Sequence, residues 1–110
     1  MENCIFCKIA NKQIPSEFIY EDDYAVAFND LSPQAPVHVL VIPKRHFASL
    51  NEVDDVELLG RVMNAVRETA KKLGLTDYRT VINTGLHAGQ TVFHLHVHLL
   101  SGRAFDWPPG

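Results

Sequence analysis

Between Phe93 and Leu100 polar and apolar residues alternate: His94, His96 and His98 interleave with Leu95, Val97 and Leu99. A period of two predicts a β-strand with imidazoles on one face and aliphatic side chains on the other. Four more strands are predicted upstream. Glu17 to Glu21 and Tyr24 to Asn29 are joined by the acidic turn Asp22-Asp23; Val37 to Ile42 ends at Pro43; Tyr78 to Asn83 precedes the histidine run. In the second of these, Tyr24, Val26, Phe28 and Asp30 share a face.

A helical period takes over from Asp54 to Leu73. Val56, Leu59, Met63, Val66, Ala70 and Leu73 recur at steps of three and four and predict one apolar stripe. Asp54 and Asp55 suit the positive N-terminus of that helix, Lys71 and Lys72 its C-terminus, and Gly74 the position just beyond. A short helix is predicted from Ile5 to Lys12, stopping before Ile14-Pro15, and the proline-bearing segment Leu31 to Pro36 is a loop. Five strands and one main helix, mostly without β-α-β crossovers, indicate an α+β fold. It is a five-stranded antiparallel meander with the long helix packed on one sheet face.

The 110 residues suit a single domain, 1–110, and 46% hydrophobic with 21% charged residues marks a folded chain. Ten basic against thirteen acidic residues give a net charge of −3. That balance argues against general nucleic-acid binding but leaves room for a single nucleotide. No apolar run approaches ~18 residues and no signal-peptide pattern opens the chain, so no membrane partner and a cytoplasmic location are expected. The only cysteines, Cys4 and Cys7, stand in a C-x-x-C spacing. Two thiols without a secretion signal suggest a metal or redox role rather than a disulfide.

The histidine row calls for divided labour. At a rise of ~3.3 Å per residue neighbouring imidazoles stand roughly 6.6 Å apart and the outer pair roughly 13 Å apart. Two adjacent rings can share a metal, but three on a straight strand cannot converge on one ion. Just upstream, Gly89-Gln90-Thr91 offers a glycine for close backbone approach, an amide and a hydroxyl. Such a loop beside imidazoles fits phosphate chemistry.

His94-x-His96-x-His98 followed by Leu99-Leu100 resembles the signature of the histidine triad (HIT) superfamily. The likeness extends through Asp30-Leu31-Ser32-Pro33-Gln34-Ala35-Pro36, His38, Val41-Ile42-Pro43-Lys44, Asn83 and Gly89-Gln90-Thr91. The terminal Trp107-Pro108-Pro109-Gly110 is similar to the histidine triad nucleotide-binding branch in particular. This resemblance implies a homodimer whose two five-stranded sheets join into one of ten strands. It also implies hydrolysis of purine nucleoside phosphoramidates to AMP and an amine, with no organic cofactor. The purine nucleotide partner would be of the AMP, GMP or adenosine type.

Carried over residue by residue, the resemblance makes His96 the nucleophile that forms a covalent nucleotidyl-histidine. His38 would bond His96 and fix its tautomer. His98, with Gly89, Gln90 and Thr91, would hold phosphate oxygens, and Thr91 or the His38–His96 pair would protonate the leaving amine. Asn83 would contact the phosphate ester or leaving group, and Asp30 both ribose hydroxyls. Ile5, Phe6, Ile9, Phe28 and Leu31 would wall the base, and Trp107 belongs to the same substrate-binding set.

Cys4 and Cys7 depart from the animal members of that branch and resemble zinc-bearing bacterial members of the superfamily. Their pattern adds His46 and His94, and the set implies a closed, structural zinc. Two other functions are weighed. One is a nucleotide-binding or interaction module with an idle triad; the other is a dinucleoside polyphosphate hydrolase, against which the terminal tetrapeptide speaks.

Overall fold

The computed structural model describes residues 3–110. Helix α1 (Ile5–Ala10) opens the fold, followed by β1 (Tyr20–Glu21), β2 (Ala25–Asn29) and β3 (Val37–Pro43). Helix α2 (Val56–Lys72) then leads to β4 (Arg79–Val81) and β5 (Val97–Ser101). All neighbouring strands are antiparallel, in the order β1-β2-β3-β5-β4. The first three strands meander. Helix α2 then carries the chain across the sheet to the far edge, so β5 folds back into the centre beside β3. Among the described residues no helix is long and apolar enough to cross a membrane.

Each sheet face has its own partner. Ala25 and Ala27 of β2, Val39 and Val41 of β3, and Val97 and Leu99 of β5 are fully buried against α2. Val26, Phe28, Leu40 and Ile42 point the other way, onto Phe6 and Ala10 of α1. At six residues α1 is well below the ~12–15 that stand alone in water, so packing holds it. Burying a ring such as Phe6 contributes ~1.5–3 kcal/mol.

Helix α2 begins where its sequence directs: the Asp55 carboxylate accepts the backbone N–H groups of Glu57 and Leu58. Its buried stripe differs from the expected one. Leu58, Val62, Ala65, Val66, Thr69 and Ala70 are buried, most of them against the sheet and Leu58 against Phe47 and Leu95, whereas Val56, Met63 and Leu73 are exposed. The small residues Ala65, Thr69 and Ala70 let the helix approach the Ala25–Ala27 strand closely, and this rotates the larger side chains outward. Thr69 is accommodated because its hydroxyl donates to the Ala65 carbonyl at 2.7 Å.

Three expected strands are shorter than their patterns. Pairing at β1 covers only Tyr20–Glu21, and at β4 only Arg79–Val81. The histidine strand begins at Val97, after a bend over residues 92–94. His94 and His96 therefore precede the ladder, and the chain is instead pinned there by Leu95 N–H donating to Phe47 O at 2.7 Å.

Candidate active site

Strand register decides which histidines meet. Leu40 pairs with His98 and His38 with Leu100, so His38 and His98 are diagonal neighbours on one face. His38 Nε2 stands 2.9 Å from His98 Nδ1. The expected His38–His96 bond is not formed, because His96 lies one residue before β5, beyond the reach of His38 along β3. His96 is held by backbone instead: its Nδ1 donates to the His94 carbonyl at 2.7 Å. In the neutral ring this leaves the lone pair on Nε2. Phe6 packs edge-on against His96, with ring centroids 5.2 Å apart.

His96 and His98 line a cleft of about 420 Å³, a volume within the usual range for small-molecule sites. Its apolar wall is Ile5, Phe6 and Ile9 from α1, with Phe28, Leu31 and Leu40 from the sheet side. Asp30 is its carboxylate. One Asp30 oxygen accepts the Ser32 N–H at 2.7 Å and the other lies 3.4 Å from His38 Nε2. Thr91, an exposed residue, also lines it. A broader depression of about 490 Å³ shares Ile5, Thr91 and Val92 with this cleft but holds neither His96 nor His98. The histidine pair therefore belongs to the smaller space. The His98 ring is pushed down to about 4 by burial, with His96 and His38 lowering it further and Asp30 opposing.

The structure brings together Ile5, Phe6, Ile9, Phe28, Asp30, Leu31, Thr91, His96 and His98, with His38 directly behind. Asn83, Gly89, Gln90 and Trp107 lie outside the cleft lining. Gln90 is a brace rather than a phosphate donor. Its side chain is fully buried, accepts Gly85 N–H at 2.9 Å and donates to Ala48 O and Val92 O at 2.7 and 3.1 Å. Even its backbone N–H is taken, by Gly85 O. Gly89 has φ +97°, a backbone conformation that favours glycine, and nestles against Asn83. Trp107 is 82% exposed.

Ile14, Pro15, Ser16 and Val92 also line the cleft and escape sequence reasoning. The Ile14-Pro15 pair, apolar in a segment following a short helix, is the one signal that marks them. The backbone partners Gln34 N–H, on His38, and Pro43 O, on His94, leave no mark in the sequence at all.

The ring of His94 turns away from the cleft. Its Nδ1 lies 3.3 Å from Cys4 Sγ, 3.5 Å from Cys7 Sγ and 3.2 Å from His46 Nδ1, and Cys7 Sγ is 3.2 Å from His46 Nδ1. All four donor atoms fall within 4.8 Å of one another. Ligands around a tetrahedral zinc stand about 3.3–3.8 Å apart, so this set fits one. His94 Nε2 donates to Pro43 O at 2.8 Å, which leaves Nδ1 as the ligating nitrogen. The C-x-x-C spacing has a local cause: Cys4 caps α1, its sulfur accepting the Cys7 N–H at 3.3 Å. Burial and the neighbouring Cys4 push the Cys7 thiol up to about 11, so a thiolate there calls for a cation.

The family model described as "Scavenger mRNA decapping enzyme C-term binding" matches residues 3–105. An uncharacterized HIT-like protein of Synechococcus elongatus is 54% identical over 99% of this chain and 98% of its own length. A HIT family hydrolase from Legionella pneumophila Philadelphia 1 superposes with a TM-score of 0.93 at 46% identity, covering 98% of this chain and all of that one. A histidine triad protein from Clostridium difficile gives 0.91 at 44% identity, with 96% of each chain covered. With the three alternating histidines in place and likeness running nearly end to end, the chain belongs to the histidine triad family.

Proposed function

We propose that this protein hydrolyses purine nucleoside phosphoramidates, releasing AMP and an amine through a nucleotidyl-histidine on His96. The observation that carries the reading is the tethered ring of His96. Its Nδ1 is committed to the His94 carbonyl, and its other nitrogen is left for a cleft that also holds a carboxylate. Structures similar to this one include a HIT family hydrolase, which supports hydrolysis as the general activity.

The His96 lone pair attacks the α-phosphorus as the P–N bond to the amine breaks; water then cleaves the P–N bond to His96, freeing AMP. His98 lies beside it, ring centroids 5.0 Å apart, where a ring N–H can meet a phosphoryl oxygen. Asp30 accepts ribose hydroxyls, and Phe28, Ile5, Phe6, Ile9 and Leu31 enclose the base. The leaving amine departs well only when protonated, and the hydroxyl of Thr91, which lines the same cleft, would assist. Cys4, Cys7, His46 and His94 would hold a zinc whose closed donor set is structural, tying α1 to the chain before β5.

The unpaired edge of β4 and an apolar hollow of about 230 Å³ lined by Leu50, Leu59, Met63 and Ile82 suit a second copy of the chain, giving a homodimer with a ten-stranded sheet. Turnover of adenosine 5′-phosphoramidate by wild type and His96→Asn tests the activity. AMP release should be lost in the variant while AMP still binds. Faster turnover of a dinucleoside polyphosphate than of the phosphoramidate would replace this reading with that substrate class, and nucleotide binding without turnover would leave a binding module.

A further inference from the structure

The geometry points to Arg103 as a positioning residue: from the tail after β5 it sets, through Gln34 and His38, which ring nitrogen of His98 carries the proton. The consequence for phosphate binding rests on the function proposed above; the proton placement does not.

A backbone N–H can only donate. Gln34 N–H lies 3.0 Å from His38 Nδ1, so that nitrogen holds a lone pair and the neutral ring is protonated at Nε2. His38 Nε2 stands 2.9 Å from His98 Nδ1 and 3.4 Å from Asp30 Oδ2. Donation to His98 makes its Nδ1 the acceptor and leaves the His98 proton on Nε2, at the other side of a ring that lines the cleft. An N–H then faces the phosphoryl oxygens. Were His38 protonated on Nδ1, the relay would run backwards and His98 would aim a lone pair at an anion.

The relay therefore depends on where Gln34 points, and Gln34 sits in an exposed loop. Arg103 holds it from outside: Nε and Nη2 both donate to Gln34 O, at 3.2 and 3.1 Å. That carbonyl and the donating N–H flank a single Cα. The guanidinium is itself fixed, because Nη1 donates to Ala104 O at 3.0 Å and the group lies 4.2 Å from the Phe105 ring centroid. Tail and loop also touch at Gly102. A Cβ there would stand 2.8 Å from Pro36 Cβ, and its φ of +96° favours glycine. Arginine suits the post because its planar fork keeps both donors on one oxygen, which an ammonium cannot do with the same rigidity.

The test is nitrogen-15 NMR of the histidine rings near neutral pH in wild type, Arg103→Ala and Arg103→Lys. Wild type should show His38 and His98 both protonated on Nε2. R103A should show mixed tautomers at both rings, with R103K between. The exposed bonds to Gln34 should be worth about 3- to 10-fold, read as weaker AMP binding and slower phosphoramidate turnover with adenosine affinity unchanged. Unchanged tautomers in R103A would overturn the assignment, whatever happens to activity, since a merely structural role lowers the melting temperature without moving a ring proton. If R103A fails to fold, R103K, which keeps the stem and the charge, gives the same reading. Shifted tautomers in a protein that turns over no phosphoramidate would uphold Arg103 and remove the proposed substrate.

Discussion

His94 serves His96 with its backbone and the cysteines with its ring. Its carbonyl accepts from His96 Nδ1 at 2.7 Å, while its Nδ1 lies 3.3 Å from Cys4 Sγ and 3.2 Å from His46 Nδ1. The bend over residues 92–94 makes this possible, because it rotates the His94 side chain out of the row that His96 and His98 occupy. One residue thus joins the candidate metal cluster to the candidate nucleophile.

Metal removal should accordingly be felt twice. The purified protein is expected to hold about one zinc per chain, and Cys4→Ser or a strong chelator should release it. The melting temperature should then fall by about 10 °C or more, each kcal/mol being ~4–8 °C for a domain of this size. Activity should fall alongside as the His94 carbonyl shifts. Elemental analysis with a thermal melt checks this; metal-free protein that melts at the same temperature would defeat it.

Replacing His96 by Asn should reduce phosphoramidate turnover by about 10³-fold or more, the scale expected when a nucleophile is lost. Rapid quenching of wild type with a substrate labelled at the α-phosphate should leave the label on His96. A protein that turns over while never carrying label would exclude the covalent route.

Asp30→Ala should weaken AMP binding much more than binding of inorganic phosphate if, as proposed, its carboxylate at the cleft accepts the ribose hydroxyls. Calorimetry with the two ligands separates the cases; equal losses would point to a general disturbance of the His38 contact instead.

The buried amide of Gln90 predicts a stability effect. Gln90→Ala strands Gly85 N–H, Ala48 O and Val92 O and should cost about 1–3 kcal/mol. A urea melt reads it. A variant of normal stability with selectively lost phosphate affinity would restore the role expected from its place in the glycine-bearing loop.

His98 makes stability depend on pH in a defined window. Its ring is at about 4 in the folded protein against 6.5 when unperturbed, so between those values the unfolded chain binds the proton and the folded chain does not. Its contribution is complete above pH 6.5 and is lost as pH falls toward 4. Between these pH values wild type should lose more stability than His98→Asn, compared by denaturant midpoints; parallel losses would show that His98 titrates normally.

Much of this was legible in the chain because it depends on side-chain identity and spacing. Asp55 as a cap and the alternation through β2 and β3 follow from patterns that survive folding, and the convergence of Phe6, Phe28, Asp30, His96 and His98 was implied by the family resemblance. What stayed hidden depends on quantities a single sequence does not carry. The face of α2 was set by how closely Ala65, Thr69 and Ala70 approach the sheet, not by where the largest residues fall. His38 met His98 because of register, a property of two strands at once. Gln34, Pro43 and His94 act through peptide groups that every residue possesses, and Gln90 looked like a ligand because polar side chains serve loops and substrates alike.

The two walls of the cleft differ in how they are anchored. His38 and His98 ride on β3 and β5, central strands with a neighbour on each side, whereas Ile5, Phe6 and Ile9 ride on a helix of six residues at the edge of the core. Amide exchange should be slowest on the first wall and fastest on the second. Variation at Ile5, Phe6, Ile9 and the Ile14–Ser16 segment is therefore a route by which ligand preference can drift, or be engineered, while the proton-handling side stays as it is.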